Sequence, residues 1–152
     1  MRTKFIPSFL YIAYLLVACQ TATPPTVAAI LGTEFSLSPS QSATVADRDL
    51  TITLHSVLSD DRCPSEVECA ATGPVTVSLS VQQGNSAPSD LTLQTFTDQD
   101  GRAPAGQFEG IQNIAEAGDY LIQIVGVLPY PKNLDSEIKV SDYRVTFIVT
   151  QN

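Results

Sequence analysis

Several segments of the chain alternate between apolar and polar residues, the pattern of β-strands that bury one face. Residues 91–96 follow the same pattern until Phe96 breaks the parity, which indicates a bulge. Residues 120–128 are apolar on both parities, which indicates a central strand. The clearly alternating segments are residues 35–37, 50–55, 75–82 and 143–150.

Turn-forming residues separate these segments, in the stretches SPSQ, QQGNSAPSD, DQDGRAPAG and PYPKN. No stretch beyond residue 33 has the 3.6-residue period of an amphipathic helix. The pattern predicts a single all-β domain, an antiparallel β-sandwich of about 7–8 strands, with a small closed barrel as the alternative.

The start of the chain has the three parts of an export signal: Arg2 and Lys4, an apolar run from Phe5 to Ala18, and small residues before a candidate cleavage point. The run of 14 residues would be about 21 Å long as a helix, which is short for a hydrocarbon core of roughly 30 Å. An ordinary secretory signal or a marginal membrane helix would share these features.

Leu16-Val17-Ala18-Cys19 resembles the lipobox of bacterial lipoproteins. The resemblance implies a diglyceride on the sulfur of Cys19, cleavage just before it, and two or three acyl chains that hold the domain on a membrane. Gln20 is not the Asp of the inner-membrane retention signal. The implied location is the exported side of the bacterial cell envelope, with sorting to an outer membrane allowed.

The predicted organisation is a signal peptide at 1–18, the lipidated cysteine and a tether at 19–33, and the β-sandwich at 34–152. Loss of Arg2 and Lys4 leaves six basic and 16 acidic residues, a net charge of about −10. Such a charge disfavours nucleic acid and anionic membrane surfaces as partners. The lipid would therefore supply the anchoring.

Two cysteines remain once Cys19 is assigned to the lipid, Cys63 and Cys69 in the sequence CPSEVEC. In an exported protein they predict one local disulfide, worth roughly 2 kcal/mol from loop-closure entropy. The alternative is a zinc site that adds His55, the only histidine, although three ligands at irregular spacing are not typical of zinc.

Glu116-Ala117-Gly118-Asp119-Tyr120 resembles the tyrosine corner of immunoglobulin-like domains, with Glu in place of Asp. The resemblance implies an Ig-like sandwich in which Glu116, Gly118 and Tyr120 have a structural role. The chain has no Trp, and Ile122 stands where immunoglobulins have a cysteine, so the likeness is to Ig-like architecture in general.

The domain as a whole is similar to a type of bacterial lipoprotein or envelope domain that has a C-P-x4-C loop and no assigned biochemical function. This resemblance implies the fold and no mechanism. The segments that carry it are residues 35–37, 41–43, 50–54, 60–69, 75–81 and 143–147.

The richest candidate for a binding site is Asp60-Asp61-Arg62, which runs into the cysteine loop and on to Glu66 and Glu68. Four carboxylates near one arginine could bind a cation or a basic partner. The alternative is that Arg62 pairs with a nearby acid and fixes the loop. Both interpretations need the loop to be rigid.

Weaker candidates lie elsewhere. Tyr130, between two prolines, would be either a stiff contact or the end of a strand. Asp98-Gln99-Asp100-Gly101 lacks the other ligands of an EF-hand and is interpreted as a turn, with an irregular calcium site that adds Glu109 as the alternative. No serine lies in a G-x-S-x-G setting, and catalysis is not expected.

We therefore expect a lipid-anchored envelope protein that works as a binding or accessory module, without catalytic activity or a cofactor. Its partners would be the membrane, through Cys19, and another envelope protein or a small ligand bound by loops 59–73 and 129–141. The alternative function is binding of calcium or zinc through the acidic loops.

Overall fold

The computed structural model describes residues 25–135 and 137–152. The predicted signal peptide, the predicted lipidation site at Cys19 and the first part of the predicted tether lie outside the described residues. Within the described ranges the regular structure is β-strand, with one single-turn 3₁₀ helix at Val140–Asp142. No helix in these ranges is long and apolar enough to cross a lipid bilayer.

The described residues form nine strands in two sheets, one with the order β1-β3-β4-β5-β6 and the other with the order β2-β9-β8-β7. Neighbouring strands are antiparallel except β1 and β3, which are parallel. The strands are β1 Val27–Ala29, β2 Phe35–Leu37, β3 Gln41–Val45, β4 Leu50–Asp60, β5 Val75–Gln83, β6 Ser89–Thr95, β7 Ile114–Ala117, β8 Tyr120–Leu128 and β9 Arg144–Gln151.

The core lies between the two sheets and is built from the apolar parity of each strand. Leu50, Ile52 and Leu54 of β4 are buried, as the alternation predicted. In the facing sheet Phe147 is fully buried and packs on Phe35, with 6.0 Å between the ring centroids. Burial of this apolar surface is the main favourable term in the stability of the domain.

The predicted all-β fold with two sheets is confirmed. The described residues form nine strands, more than the predicted 7–8. Short strands with few large apolar side chains do not show a clear alternation of apolar and polar residues. One of these is β1, which lies within the predicted tether. Ala29 is 2% exposed and belongs to the core, so the folded body includes Val27–Ala29 as well as the predicted domain.

The strands define two ends of the sandwich. At one end, the turn end, tight turns at 46–49 and 118–119 join β3 to β4 and β7 to β8. At the other, the loop end, the connections are long: residues 61–74 join β4 to β5, residues 96–113 join β6 to β7, and residues 129–143 join β8 to β9. The residues singled out as a binding site all lie at the loop end.

Candidate functional site

A short cross-linked loop follows β4. Cys63 and Cys69 form the predicted disulfide, with Cα atoms 5.9 Å apart. The base of the loop is closed by two backbone hydrogen bonds, from the Asp61 amide to the carbonyl of Pro74 (3.1 Å) and from the Gly73 amide to the carbonyl of Asp61 (2.8 Å). The zinc alternative is wrong for this oxidised chain, because both sulfurs are used by the disulfide.

The guanidinium of Arg62 lies under this loop and is completely buried, with 0% side-chain exposure. Its Nε and Nη2 donate to the two carboxylate oxygens of Asp60, at 2.7 and 2.6 Å. Nη1 donates to the hydroxyl of Thr97 (3.1 Å) and the carbonyl of Val127 (2.9 Å), and Nη2 also donates to the carbonyl of Pro129 (2.8 Å). All five donors of the guanidinium are therefore used within the protein.

Asp60 has a second side-chain partner, Tyr143, which lies just before β9 of the other sheet. The hydroxyl of Tyr143 donates to Asp60 Oδ2 over 3.0 Å. Burial first, and then the charge and hydrogen bond of Asp60, raise the pKa of Tyr143 well above its usual 10.0. The phenol therefore stays protonated and keeps donating at physiological pH. A bidentate ion pair that is also hydrogen-bonded to its surroundings satisfies the condition for a stable buried charge.

Tyr130 covers the outer side of this pair. The guanidinium carbon of Arg62 lies 4.8 Å from the centroid of the Tyr130 ring, in cation–π contact. The hydroxyl of Tyr130 donates to the carbonyl of Cys63 over 2.9 Å. One aromatic side chain thus connects the buried arginine with the disulfide loop.

Backbone hydrogen bonds join the two loops further out. The amide of Ser65 donates to the carbonyl of Pro131 (3.0 Å), and the amide of Glu66 donates to the carbonyl of Lys132 (2.9 Å). We call this composite surface, residues 61–73, 129–135 and 137–142, the loop platform. Because backbone and buried side chains hold its halves together, the platform is expected to keep its shape when a partner binds.

The platform has a depression of about 400 Å³. The Asp60–Arg62 pair and Tyr143 are among its lining residues, together with the apolar side chains of Pro64, Pro131, Leu134 and Ile138 and the carboxylates of Asp61 and Glu137. Arg62 is already saturated with acceptors. The remaining lining groups are carboxylates, the amide side chain of Asn133 and apolar carbon, a combination that suits an amphipathic cation better than an anion.

The structure brings together three of the four predicted binding residues. Asp60, Arg62 and Tyr130 meet in the buried network, so the pairing that the structural alternative predicted for Arg62 is present. Asp61 is exposed at the rim and accepts a hydrogen bond from the Ser59 hydroxyl (3.2 Å). The alternation predicts Tyr143 only as part of the apolar face of its strand. Its bond to Asp60 spans 83 residues and has no local signature.

The metal candidates lie apart from the platform. His55 is 3.7 Å from Asp90 on the exposed face of β4 and β6. Asp98 closes the predicted turn, because its Oδ1 accepts the backbone amides of Asp100 (3.0 Å) and Arg102 (2.8 Å). Residues 25–135 and 137–152 contain no group of three or more His, Cys, Asp or Glu side chains placed to hold a metal ion.

The predicted tyrosine corner is a hairpin turn. Ala117 pairs with Tyr120, so Gly118 and Asp119 form a two-residue connection between β7 and β8 of one sheet. Gly118 has φ of +59°, as the first central residue of such a turn requires. In immunoglobulin domains the corner tyrosine follows a crossing between sheets. Tyr120 is nevertheless buried at 6% exposure and belongs to the core.

No protein-family model matches the chain, and neither the curated proteins nor the solved structures contain a significant match. The interpretation of the site therefore depends on its geometry.

Proposed function

We propose that the protein is a lipid-anchored binding module of the bacterial envelope, without chemistry of its own, that uses the loop platform to contact its partner. The observation that carries the proposal is the buried Asp60–Arg62–Tyr143 network and its cover, Tyr130. It fixes two long loops into one surface while leaving none of its own donors for a reaction. A preorganised surface loses little conformational entropy when it binds.

The exposed chemistry of the platform agrees with a binding role. Leu134 is 79% exposed and lines the depression, so its side chain is available for apolar contact with a partner. Asp61 and Glu137 line the same depression. An exposed apolar side chain beside carboxylates can attract and hold an amphipathic cationic group. The anchor itself is supported by the lipobox-like sequence at Cys19.

Two measurements test the proposal. Mass spectrometry of the mature chain is expected to find a diglyceride on Cys19, and a chain that keeps Met1 without acyl groups would contradict the anchor. A photo-reactive amino acid at position 134 is expected to form adducts in intact cells. The matched control is position 30, at the turn end, where Ile30 is 63% exposed. Equal yields of adducts at both positions would contradict the assignment of the platform.

A further inference from the structure

The depression of the loop platform presents apolar carbon to solvent. Leu134 is the most exposed large hydrophobic side chain of the described residues. Three further apolar lining residues are half-buried: Pro64, Pro131 and Ile138. Val140, in the 3₁₀ helix at the end of the platform, is also exposed. A partner that covers this apolar surface removes it from water, which favours binding.

Carboxylates lie on all three segments of the platform. The platform carries six exposed carboxylates and two exposed lysines, a net charge of −4, since Asp60 already neutralises Arg62. Such a surface repels anions and attracts cations. The carboxylates belong to Asp61, Glu66, Glu68, Asp135, Glu137 and Asp142, and the lysines are Lys132 and Lys139.

These carboxylates have no cationic partner within the part of the chain that the structure describes. The ion pairs there join other residues, and none of them includes a platform carboxylate. Asp61 accepts a hydrogen bond from the neutral hydroxyl of Ser59, and Glu66 accepts one from the neutral amide of Asn133. A cation brought by a partner would therefore not have to displace a lysine or arginine of the described residues.

The shape of the platform favours a polypeptide over a small cation. All of its residues except Arg62 are at least partly exposed, so the depression is open, whereas sites for small molecules bury most of the ligand surface. The platform comprises 26 residues, and each partner in a standard protein–protein interface contributes about 20–30 residues. Its size therefore fits a protein.

We propose that the partner of the platform is a protein that presents a basic, amphipathic segment. Apolar side chains of this segment enter the depression beside Leu134 and Ile138, and its flanking lysines or arginines meet the carboxylates of Asp61 and Glu137. The inference rests on the proposed function, because it names the chemistry of the partner that binds the same site. Complementary charge speeds association and excludes anionic partners, and the apolar contact adds affinity.

A synthetic peptide probes the charge and the apolar contact separately. The probe is the acetylated and amidated peptide Lys-Lys-Leu-Leu-Lys-Lys, applied to the full mature chain on a biosensor surface. One control peptide has glutamates in place of the lysines, and the other has serines in place of the leucines. We expect the probe to bind more tightly than either control and to bind more weakly as salt is added. Equal binding of either control peptide would overturn the inference.

Two matched double variants test whether the probe binds at the platform. Asp61→Asn with Glu137→Gln removes two carboxylates that line the depression, whereas Asp47→Asn with Asp119→Asn removes two exposed carboxylates at the turn end. The platform variant should bind the probe roughly 3- to 10-fold more weakly, as expected for the loss of two exposed ion pairs. The turn-end variant should bind like the native chain. Equal losses would mean that the probe responds only to net charge, which contradicts the inference. Unchanged thermal unfolding shows that both variants are folded.

Cross-linking in intact cells distinguishes failure of this inference from failure of the proposed function. The partner segment that is cross-linked to position 134 is sequenced by mass spectrometry, and we expect lysines or arginines next to apolar residues. Adducts at 134 on an acidic or uncharged segment would overturn the basic partner and leave the binding function in place. Adducts that are no more frequent at 134 than at 30 would overturn the binding function and, with it, this inference.

Discussion

The two ends of the sandwich are closed by different means. At the turn end, backbone hydrogen bonds suffice: the amide of Ala46 donates to Ala29 (2.9 Å), and the amide of Gly84 donates to Asp49 (2.7 Å). At the loop end, the buried Arg62 donates hydrogen bonds to residues up to 67 positions away in sequence. These turn-end bonds connect neighbouring strands of one sheet, whereas the acceptors of Arg62 come from both sheets, so the loop end forms only when both sheets have assembled.

This difference has a functional consequence. Tight turns leave little surface that can be varied without disturbing the strands. Long loops offer such a surface, but they are mobile unless something fixes them. The buried pair, the disulfide and Tyr130 fix the loops at one end and leave their tips free to carry exposed apolar side chains such as Leu134. In the proposed function, binding at the loop end would therefore depend on this buried network.

The largest expected effect comes from breaking that network. Arg62→Met removes the cation and leaves the Asp60 carboxylate buried without its partner, which costs about 3–5 kcal/mol of unfolding free energy. Chemical denaturation monitored by circular dichroism measures the loss. Arg48→Met, at an exposed position of the turn end, is the control and should leave the midpoint unchanged. Similar losses in both variants would contradict the distinction between the ends.

The disulfide is expected to matter less. Removing it by Cys63→Ser with Cys69→Ser should lower the unfolding free energy by about 2 kcal/mol, because only a loop of about seven residues is released. The sandwich should remain folded, since the Arg62 network and the backbone bonds at Asp61 stay in place. Hydrogen exchange should then accelerate at residues 63–72 and not at 46–49. Global unfolding of the double variant would show that the cross-link, not the ion pair, holds the platform.

The sequence predicts the strands better than it predicts the site, because strand patterns are local in sequence whereas the contacts of the site join residues that are far apart in sequence. Alternation at Leu50, Ile52 and Leu54 reports directly which face of a strand is buried. The parity break at Phe96 has a local cause too, although it is not the predicted bulge. β6 ends at Thr95, and the Phe96 ring packs edge-on against Phe108 at 6.1 Å between centroids. By contrast, β1 has only the apolar residues Val27, Ala28 and Ala29, which show no alternation. It is recognised as a strand only because it pairs with β3.

Within the site, only the short-range parts were predictable. Cys63 and Cys69 are six residues apart, and Asp60 and Arg62 are two apart, so composition alone suggests each pair. The contacts of Arg62 with Thr97 and Val127 depend on which strands become neighbours. No pattern near Arg62 indicates that its charge will be buried. That is why the same residues could be interpreted as a ligand site or as an internal support.

A smaller effect is expected at Tyr143. Tyr143→Phe removes one hydrogen bond to Asp60 and should cost about 1–2 kcal/mol near neutral pH. Because folding raises the pKa of this phenol above the 10.0 of an ordinary tyrosine, its contribution is fully present below that value. It declines as the pH rises toward the higher pKa of the folded state, since only the unfolded chain then loses the proton.

The pH dependence provides the control for this prediction. Unfolding by urea is measured near neutral pH and just above pH 10 for the native chain and for Tyr143→Phe. The native chain should lose more stability than the variant over this interval. Equal slopes would mean that the hydroxyl does not interact with Asp60 in the folded protein.

The smallest effect is expected from a second arginine–carboxylate pair, which differs from the first mainly in its exposure. Arg102 Nη1 donates to both carboxylate oxygens of Glu34, at 3.2 and 3.0 Å, but the two side chains are 64% and 47% exposed. Water and salt screen such a pair, so Arg102→Ala should cost less than about 1 kcal/mol. The cost should shrink further in high salt, as measured by urea denaturation with and without added sodium chloride. A loss as large as that of Arg62→Met would mean that burial is not what distinguishes the two arginines.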